Sequence, residues 1–477
     1  VGFLLAWRDD VSIEAENGSF AVRGPGGRVT LRDLGPQTTE AFQRLTPPGE
    51  DEDQLTETIA KSGPGNLQRW FYYVERLTRR GLVSRSVHEN GTPLATVVTV
   101  SPQFVWKPLT LRSDRPYVLS RFAYLHREGS QSILESPLAH ARVLFHDWRA
   151  AAIIGALAEP ITAAEVSSRP GLAGEVGVSL LTLLFRAGMV CEAGAEEQDA
   201  DLRTWAFHDL LFHARSRKGR SDAPYGGTYR FVGESAPPPA LKPLPAGEVI
   251  PLDRPVLARL EREDPPLTWV QERRRSVRTF DANRPITLHQ LGEFLFRVNR
   301  VKEYRKDELE TVRGPVVMDL APRPYPAGGG LYELEIYAVV NACDGLAPGL
   351  YYHNPSQHQF IRVQDRQQSA ENLLRDAAES TAVPAGELQV LFVLAARVPR
   401  VAWKYESIAY ALILKHVGVV YQTMYLVATA MGLAACAVGG GDADLFARAT
   451  GCKYVAEASV GEFLLGSRRE SFDSETF

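Results

Sequence analysis

The residues of this chain that could do chemistry are basic, aromatic and glycine. Lys404 and Tyr405 stand together in VAWKYESIAYALILKH (401 to 416), immediately before the most apolar stretch of the 477 residues. A lysine acts as a base only as the free amine. Its pKa must then fall from about 10.4 towards 7, which costs the ammonium roughly 4 kcal/mol. A helix start acts in that direction but is worth only about 0.3 to 1 kcal/mol at an exposed site. Ser407 is placed to cap that helix, while Glu406 pulls the other way, so burial under a bound substrate has to supply most of the shift. For Tyr405 the helix end favours phenolate and burial opposes it, leaving a neutral phenol able to orient a substrate or relay a proton. By residue type alone, the pair reads first as the wet end of a buried helix, a surface lysine beside a boundary aromatic.

A second group could hold an anion. Arg273, Arg274, Arg275, Ser276 and Arg278 fall within six residues, and guanidinium groups beside a hydroxyl can grip an oxyanion through paired N–H donors. Near the other end, LLGSRRE places Arg468 and Arg469 after a buried strand, as if both runs shared one anion. Between them, PYPAGGGLYELEIY (324 to 337) sets Gly328 to Gly330 before a strand, and AACAVGGGDADL (434 to 445) sets Gly439 to Gly441 after the apolar helix. Glycine lets backbone approach a flat ligand and frees amides to bond it. Singly, each cluster reads as a tight turn or a solvated basic face. No G-x-G-x-x-G, phosphate loop, nucleophile elbow or H-E-x-x-H is present to support other chemistries.

The elements that must position these residues fall into two parts. LTRRGLV (77 to 83) and LFRAGMV (184 to 190) share Leu-x-Arg-x-Gly-(Leu/Met)-Val at an offset of 107 residues, each ending an amphipathic helix. Upstream of each lie strand signals, a first helix (TTEAFQRL, then AHARVLFHDW) and a short second helix (LTETIAKS, then TAAEVSS), which reads as a winged-helix-like module in tandem. Leu67, Trp70, Phe71, Val74 and Leu77 form the apolar face of the third helix of copy one. The expected layout is module 1 over residues 1–90, module 2 over 91–198, a connector with a Pro-rich segment over 199–266, and a mixed α+β domain over 267–477. In that domain YELEIYAVV and ELQVLFVLAARV read as strands, LYYHNPSQHQFIRV as a hairpin, and Thr287 as the cap of a helix from Leu288.

Charge limits the partners. Net charge is -4, and residues 1 to 89 hold 11 Lys/Arg against 13 Asp/Glu, the wrong balance for gripping nucleic acid. A sheet edge beside a helix groove suits an extended peptide better; modules that only pack and dimerise are an equal reading. Val417 to Gly441 is uncharged and long enough for a membrane span, but Gln422, Thr423 and Thr429 and its glycines fit a buried helix ending in a loop. Four cysteines without C-x-x-C spacing argue against structural zinc and for a reducing compartment. A soluble, cytoplasmic protein is expected.

Taken together, RRSVRTF (274 to 280), PAGG (326 to 329), the apolar helix running into a Gly-rich loop, and FLLG-x-R resemble the FMN-dependent nitroreductase fold across the whole C-terminal domain. FHDLLFHARSRKGRSDAPYGGTYRF (207 to 231) and WKYES are similar to SagB-type azoline dehydrogenases, and the tandem modules resemble the precursor-recognition elements of cyanobactin oxidases. The resemblance implies that Arg274, Ser276 and Arg278, with Arg275 beside them, hold the FMN phosphate and pyrimidine edge, and that Arg468 completes the phosphate site. Pro326, Ala327, Gly328 and Gly329 would lie against the isoalloxazine from the second subunit of a homodimer. Gly439 and Gly440 would bring amides to the flavin's reactive nitrogen, near Gln422 of the helix, which Thr423 follows where many relatives have Asn. Lys404 and Tyr405 would be catalytic. It further implies a heterocyclised precursor peptide, leader and core, as substrate, a cyclodehydratase as partner, dioxygen as the final oxidant, and no metal. A broad-range NAD(P)H nitroreductase and a non-enzymatic winged-helix scaffold are the alternatives.

Overall fold

The computed structural model describes residues 2–16, 19–25, 27–169, 174–363 and 367–469. It separates into two compact units, Val1–Ala223 and Pro224–Phe477.

In the first unit, one order of elements occurs twice. It begins with β1 (Leu4–Trp7), a meander of β2 (Ser12–Glu16), β3 (Ser19–Gly24) and β4 (Gly27–Leu31), and helix α1 (Pro36–Gln43). A two-residue strand β5 (Glu50–Asp51), α2 (Glu52–Ala60), α3 (Pro64–Arg79) and β6 (Val83–Glu89) complete it. After β7 (Thr92–Thr99) the order returns as β8 (Pro116–Leu119), the meander β9 (Tyr124–Glu128), β10 (Gln131–Glu135) and β11 (Ala141–Phe145), and α4 (Trp148–Ala156). β12 (Ile161–Thr162), α5 (Ala163–Ser167), α6 (Glu175–Arg186) and β13 (Val190–Glu192) follow. Pairing repeats as well: β1 lies between β5 and β6, and β8 between β12 and β13. α7 (Ala195–Gln198) and α8 (Phe207–Arg215) come last.

The unit differs from the sequence reading in three places. AHARVLF forms strand β11, not a helix: Ala141, Val143 and Phe145 are buried and the residues between them less so, the period of two that marks a strand with one face inward. Phe71 is 53% exposed, while Trp70, Val74 and Leu77 are buried and Tyr73 joins them; residue 71 falls on the edge of the stripe. Residue 90 lies in the turn of the β6–β7 hairpin, and β7 pairs with β11. One seven-stranded sheet, β5-β1-β6-β7-β11-β10-β9, therefore runs through both modules.

The second unit is built on a sheet ordered β15 (Val249–Pro251), β20 (Gln359–Arg362), β19 (Gly349–Asn354), β18 (Leu334–Val340), β21 (Val390–Arg397), β24 (Glu457–Gly466), β23 (Ala434–Val438), with every pair antiparallel. Alternate residues feed two cores. Ile336, Ala338, Phe392 and Leu394 pack in one core with α11 (Leu288–Asn299) and α14 (Ala409–Ala430), and Tyr337, Val339, Leu391 and Val393 in the other with α12 (Gln367–Thr381) and α15 (Ala443–Thr450). The expected cap forms at Thr287 and is a full capping box: its hydroxyl accepts from Gln290 N–H at 3.1 Å while the Gln290 side chain accepts from Thr287 N–H at 3.0 Å. Three strands escape the sequence reading: the hairpin of β16 (Arg305–Thr311), mostly charged, with β17 (Gly314–Leu320), and β23, an Ala-rich run of low strand propensity. Among the described residues α14 alone is long and apolar enough to cross a membrane by length and composition. Here it is a core helix, burying Ile413, Val417, Val420, Met424 and Ala428.

The expected connector over 199–266 is not a free linker. The units part at Ala223/Pro224, and the Pro-rich stretch is fastened to the second unit. Prolines lack N–H but keep strong carbonyl acceptors, and two buried arginines use them. Arg397 donates to Pro239 O at 2.8 Å and to Ala240 O, and Arg400 donates to Pro238 O, Leu331 O and Asp319 O. Arg400 is 1% exposed, and burial beside Arg397 lowers its pKa to about 10, so it remains charged near neutrality. Arg400→Leu would strand three carbonyls. We expect a loss of about 3 kcal/mol or more in denaturant unfolding, with new protease cutting near residue 238.

Candidate active site

Lys404 is held by backbone on both sides. α13 (Val398–Ala402) leads into it, and β22 (Tyr405–Glu406) pairs with β14 (Gly226–Gly227), putting Tyr405 opposite Gly227. Tyr229 N–H donates to Lys404 O at 3.2 Å, and Trp403 Nε1 donates to Ser235 O at 3.2 Å. The half-buried Lys404 Nζ lies 5.3 Å from the Tyr229 ring centroid and 5.5 Å from that of Tyr405, two faces that attract a cation. Two expectations are corrected. Glu406 does not engage the lysine, because its carboxylate accepts from Thr228 Oγ1 at 2.6 Å and lies 3.6 Å from Arg230. Ser407 is no cap: it donates to Pro224 O at 2.7 Å, and α14 starts after Ile408 without a side-chain cap.

The PAGG turn meets this pair. Ala327 is extended, and Gly329 and Gly330 adopt φ of 64° and 69°. A methyl group on Gly329 would stand 2.7 Å from both Lys404 Nζ and Tyr405 Oη, so both polar groups converge on bare backbone that only glycine allows. Gly328 N–H donates to His416 Nε2 at 2.7 Å, and His416 Nδ1 lies 2.7 Å from Glu333 Oε1. Because Nε2 accepts, the ring proton sits on Nδ1 and is given to Glu333. His416 is buried and Glu333 wholly so. Sequence reasoning left His416 without a partner; Glu333 is 83 residues away, and no local signal joins them.

The basic cluster forms a separate place. Arg274 lies over the ring of Tyr425 at 5.2 Å, and Ser276 Oγ is 2.8 Å from Tyr425 Oη, which also accepts from Ala437 N–H at 2.7 Å. Val277 N–H donates to Ala435 O at 2.8 Å, Phe280 bridges Arg468, and Arg469 Nε donates to Phe280 O at 2.7 Å. The two arginine runs are thus neighbours, with β23 beside them. Arg275, Arg278, Gln422, Gly439 and Gly440 are exposed, Arg468 half-buried, and no heavy atom lies within 4 Å of a methyl placed on Gly439. Tyr425 went unnoticed in the sequence. His416 and Tyr425 are nine residues apart on α14, about 13 Å along the axis, so the lysine–tyrosine group and the arginine group belong to different ends of one helix.

Residues 1–107 match the ThcOx helix-turn-helix domain, 117–222 match the cyanobactin oxidase ThcOx, and 272–466 match the nitroreductase family. The first two matches are both to domains of the cyanobactin oxidase ThcOx and together span most of the N-terminal unit. By its nitroreductase-family domain the chain is an FMN-dependent oxidoreductase. A protein named as a nitroreductase from Methanocaldococcus jannaschii is 28% identical over 193 residues, 40% of this chain and 85% of its own length. A solved nitroreductase-named protein from Ralstonia eutropha aligns over 52% of this chain and all of its own at 19% identity and TM-score 0.36. One from Anabaena variabilis aligns over 54% of this chain at 20% identity and TM-score 0.35, and this chain spans 45% of the length of that one.

Behind the exposed glycines of the oxidase sits a buried acid. A methyl on Gly441 would fall 2.3 Å from the Glu462 carboxyl, so glycine there makes room for the acid. Burial raises the Glu462 pKa from 4.5 to about 7. The folded state therefore holds this proton more tightly than the unfolded chain, and the contribution to stability declines as pH rises from about 4.5 to about 7. Glu462→Gln removes the titration. The variant should gain on wild type between pH 5 and pH 8, by up to ~3 kcal/mol, measured as the difference in unfolding midpoints; a gap that stays constant with pH contradicts the assignment.

Proposed function

We propose that the oxidase dehydrogenates thiazoline or oxazoline rings of a heterocyclised peptide to thiazoles or oxazoles, in the making of ribosomal heterocyclic peptides. The observation that carries this is the convergence of Lys404 Nζ and Tyr405 Oη on the Gly329 backbone. Aromatising such a ring removes a proton from the carbon derived from the residue's α-carbon and a hydride from its ring neighbour. FMN, when bound, supplies the acceptor for the hydride. Lys404 Nζ takes the proton as the free amine, and Tyr405, as a neutral phenol, holds the ring in place over the glycine floor. With Glu406 occupied by Thr228 and Arg230, no acidic neighbour among the described contacts fixes the ammonium, and a substrate closing over the half-buried amine strips its water.

The residues present fit FMN. Arg274, the Ser276–Tyr425 pair and Arg468 offer cationic and hydroxyl groups for a phosphate, Arg275 and Arg278 flank them, the open backbone at Gly439 and Gly440 admits a flat ring, and Gln422 adds an exposed amide on α14. Pro326, Ala327, Gly328 and Gly329 cover the ring's other side from a second copy. A homodimer reconciles the two ends of α14. Tyr410, Leu414, Gly418 and Gln422 are exposed at a spacing of four, a stripe along that helix. A two-fold axis across it sets the lysine end of one protomer against the arginine end of the other. The peptide leader is bound by the N-terminal modules, and the heterocycles arrive from a cyclodehydratase.

The purified protein should be yellow and release FMN on denaturation. Lys404→Ala should keep the flavin and lose about 100-fold or more in turnover, followed by mass spectrometry as two hydrogens removed per ring; undiminished oxidation removes the lysine from the reaction. Co-refolded Lys404→Ala and Arg274→Ala proteins, each inactive alone, should recover about a quarter of wild-type activity if each site draws on both subunits. No recovery places both groups in one protomer's site.

A further inference from the structure

We infer that His416, set by Glu333, is a positioning residue for the lysine–tyrosine pair; this rests on the azoline-oxidation reading. The turn that floors the pair is held by one side chain, because Gly328 N–H ends on His416 Nε2. An imidazole with its proton on Nε2 would turn a donor towards that N–H and push the turn away. Glu333 prevents this by accepting the Nδ1–H hydrogen bond, the usual way a second partner fixes a tautomer. His416 is the eighth residue of α14, whose start follows Lys404 and Tyr405 closely in the chain. One helix thereby fixes both the polar pair and the backbone they meet, and a misplacement near 1 Å at such a site can cost about 100-fold.

The test uses FMN-loaded His416→Leu and His416→Gln enzymes on an azoline peptide. The leucine variant should retain flavin and KM while kcat falls at least about tenfold. Glutamine, whose side-chain oxygen can accept from Gly328, should regain much of it. Equal losses in both variants, or no loss with leucine, overturn the inference. Should the leucine variant not fold, histidine-selective 15N labelling of wild-type holoenzyme decides: a protonated Nδ1 and bare Nε2 on His416 support the inference, and a proton on Nε2 overturns it. A wild type that shows this tautomer but leaves azolines untouched rejects the reaction and keeps the hydrogen-bond relay.

A different observation points to a small-oxyanion site in the same unit. A cavity of about 180 Å³ lies between the Pro-rich segment and the β19–β20 turn, lined by Lys242, Arg323, Glu335, Tyr352 and Asn354 among others. Arg323 is 3% exposed; its Nη1 donates to Asn299 O at 2.9 Å, but Nε and Nη2 meet no acceptor. Those two N–H groups share one edge of the guanidinium, the edge that takes a carboxylate or phosphate side-on. The other charges are matched: Lys242 by Glu457 at 2.7 Å, and Glu335 by Arg397 at 3.5 Å and the Tyr352 hydroxyl at 3.0 Å. Glu335 acts on Arg323 as well, so three cations, Lys242, Arg323 and Arg397, share the two carboxylates Glu457 and Glu335, and one positive charge is left over beside the cavity.

Formate and inorganic phosphate, compared with chloride at constant ionic strength, should raise the melting temperature of the FMN-loaded wild type and leave Arg323→Gln unmoved. No rise, or the same rise in both proteins, overturns the site. A response to formate alone marks a carboxylate ligand, and one to phosphate alone an inorganic or ester phosphate. If the variant does not fold, wild-type crystals soaked in bromide decide by an anomalous peak against Arg323 Nε and Nη2, with its absence counting against the site.

Discussion

The burial of α14 against the seven-stranded sheet is the constraint on which the second unit turns. A 22-residue helix with Ile413, Val417, Val420, Met424 and Ala428 inside the core cannot shift without opening that core, since interiors pack at near-crystalline density. Everything polar attached to it inherits that rigidity. At one end it follows closely on Lys404 and Tyr405, which the β22–β14 pairing holds, and it anchors the glycine turn through His416. At the other, Tyr425 reaches Ser276 and the β23 backbone. Chemistry that needs a proton acceptor and a flat cofactor at set positions is served by groups on or beside one immovable rod.

Buried charge is the counterweight. The unit hides Arg323, Arg397, Arg400, Glu333, Glu335 and His416 at or below 9% exposure, and unpaired ions in such places are strongly destabilising. Most are matched, and the Pro-rich stretch is part of the match: its carbonyls lie free because proline cannot engage them in regular structure. A segment whose composition reads as linker is therefore an acceptor strip for two arginines, and it walls the cavity beside Arg323.

Legibility in the sequence followed locality. The tandem modules showed because each helix ends on the same seven-residue signature, and the Thr287 cap showed because capping chemistry spans three residues. Lys404, Tyr405, the PAGG turn and the arginine runs were visible as residue types in short motifs. β11 was misread because Ala-His-Ala-Arg-Val-Leu-Phe suits a helix as well as a half-buried strand, and pairing with β7 and β10 decided the matter. β23 was hidden by alanine and cysteine. Glu333–His416, Glu406–Thr228 and Ser276–Tyr425 join residues 83, 178 and 149 positions apart, and tertiary contacts of that kind leave no periodicity to read.

The same distances explain why the lysine could be noticed yet its surroundings mistaken. From sequence, Glu406 is the nearest charge and Ser407 the nearest cap, and both seemed to set the electrostatics of Lys404. In the fold, the 224–230 segment claims both, through Pro224, Thr228 and Arg230, and offers the Tyr229 ring to the lysine instead. Removing a carboxylate from an amine weakens the hold on the ammonium, and an aromatic face restores only part of it. The segment therefore works as a local exchange of partners, giving the lysine an aromatic face in place of a carboxylate.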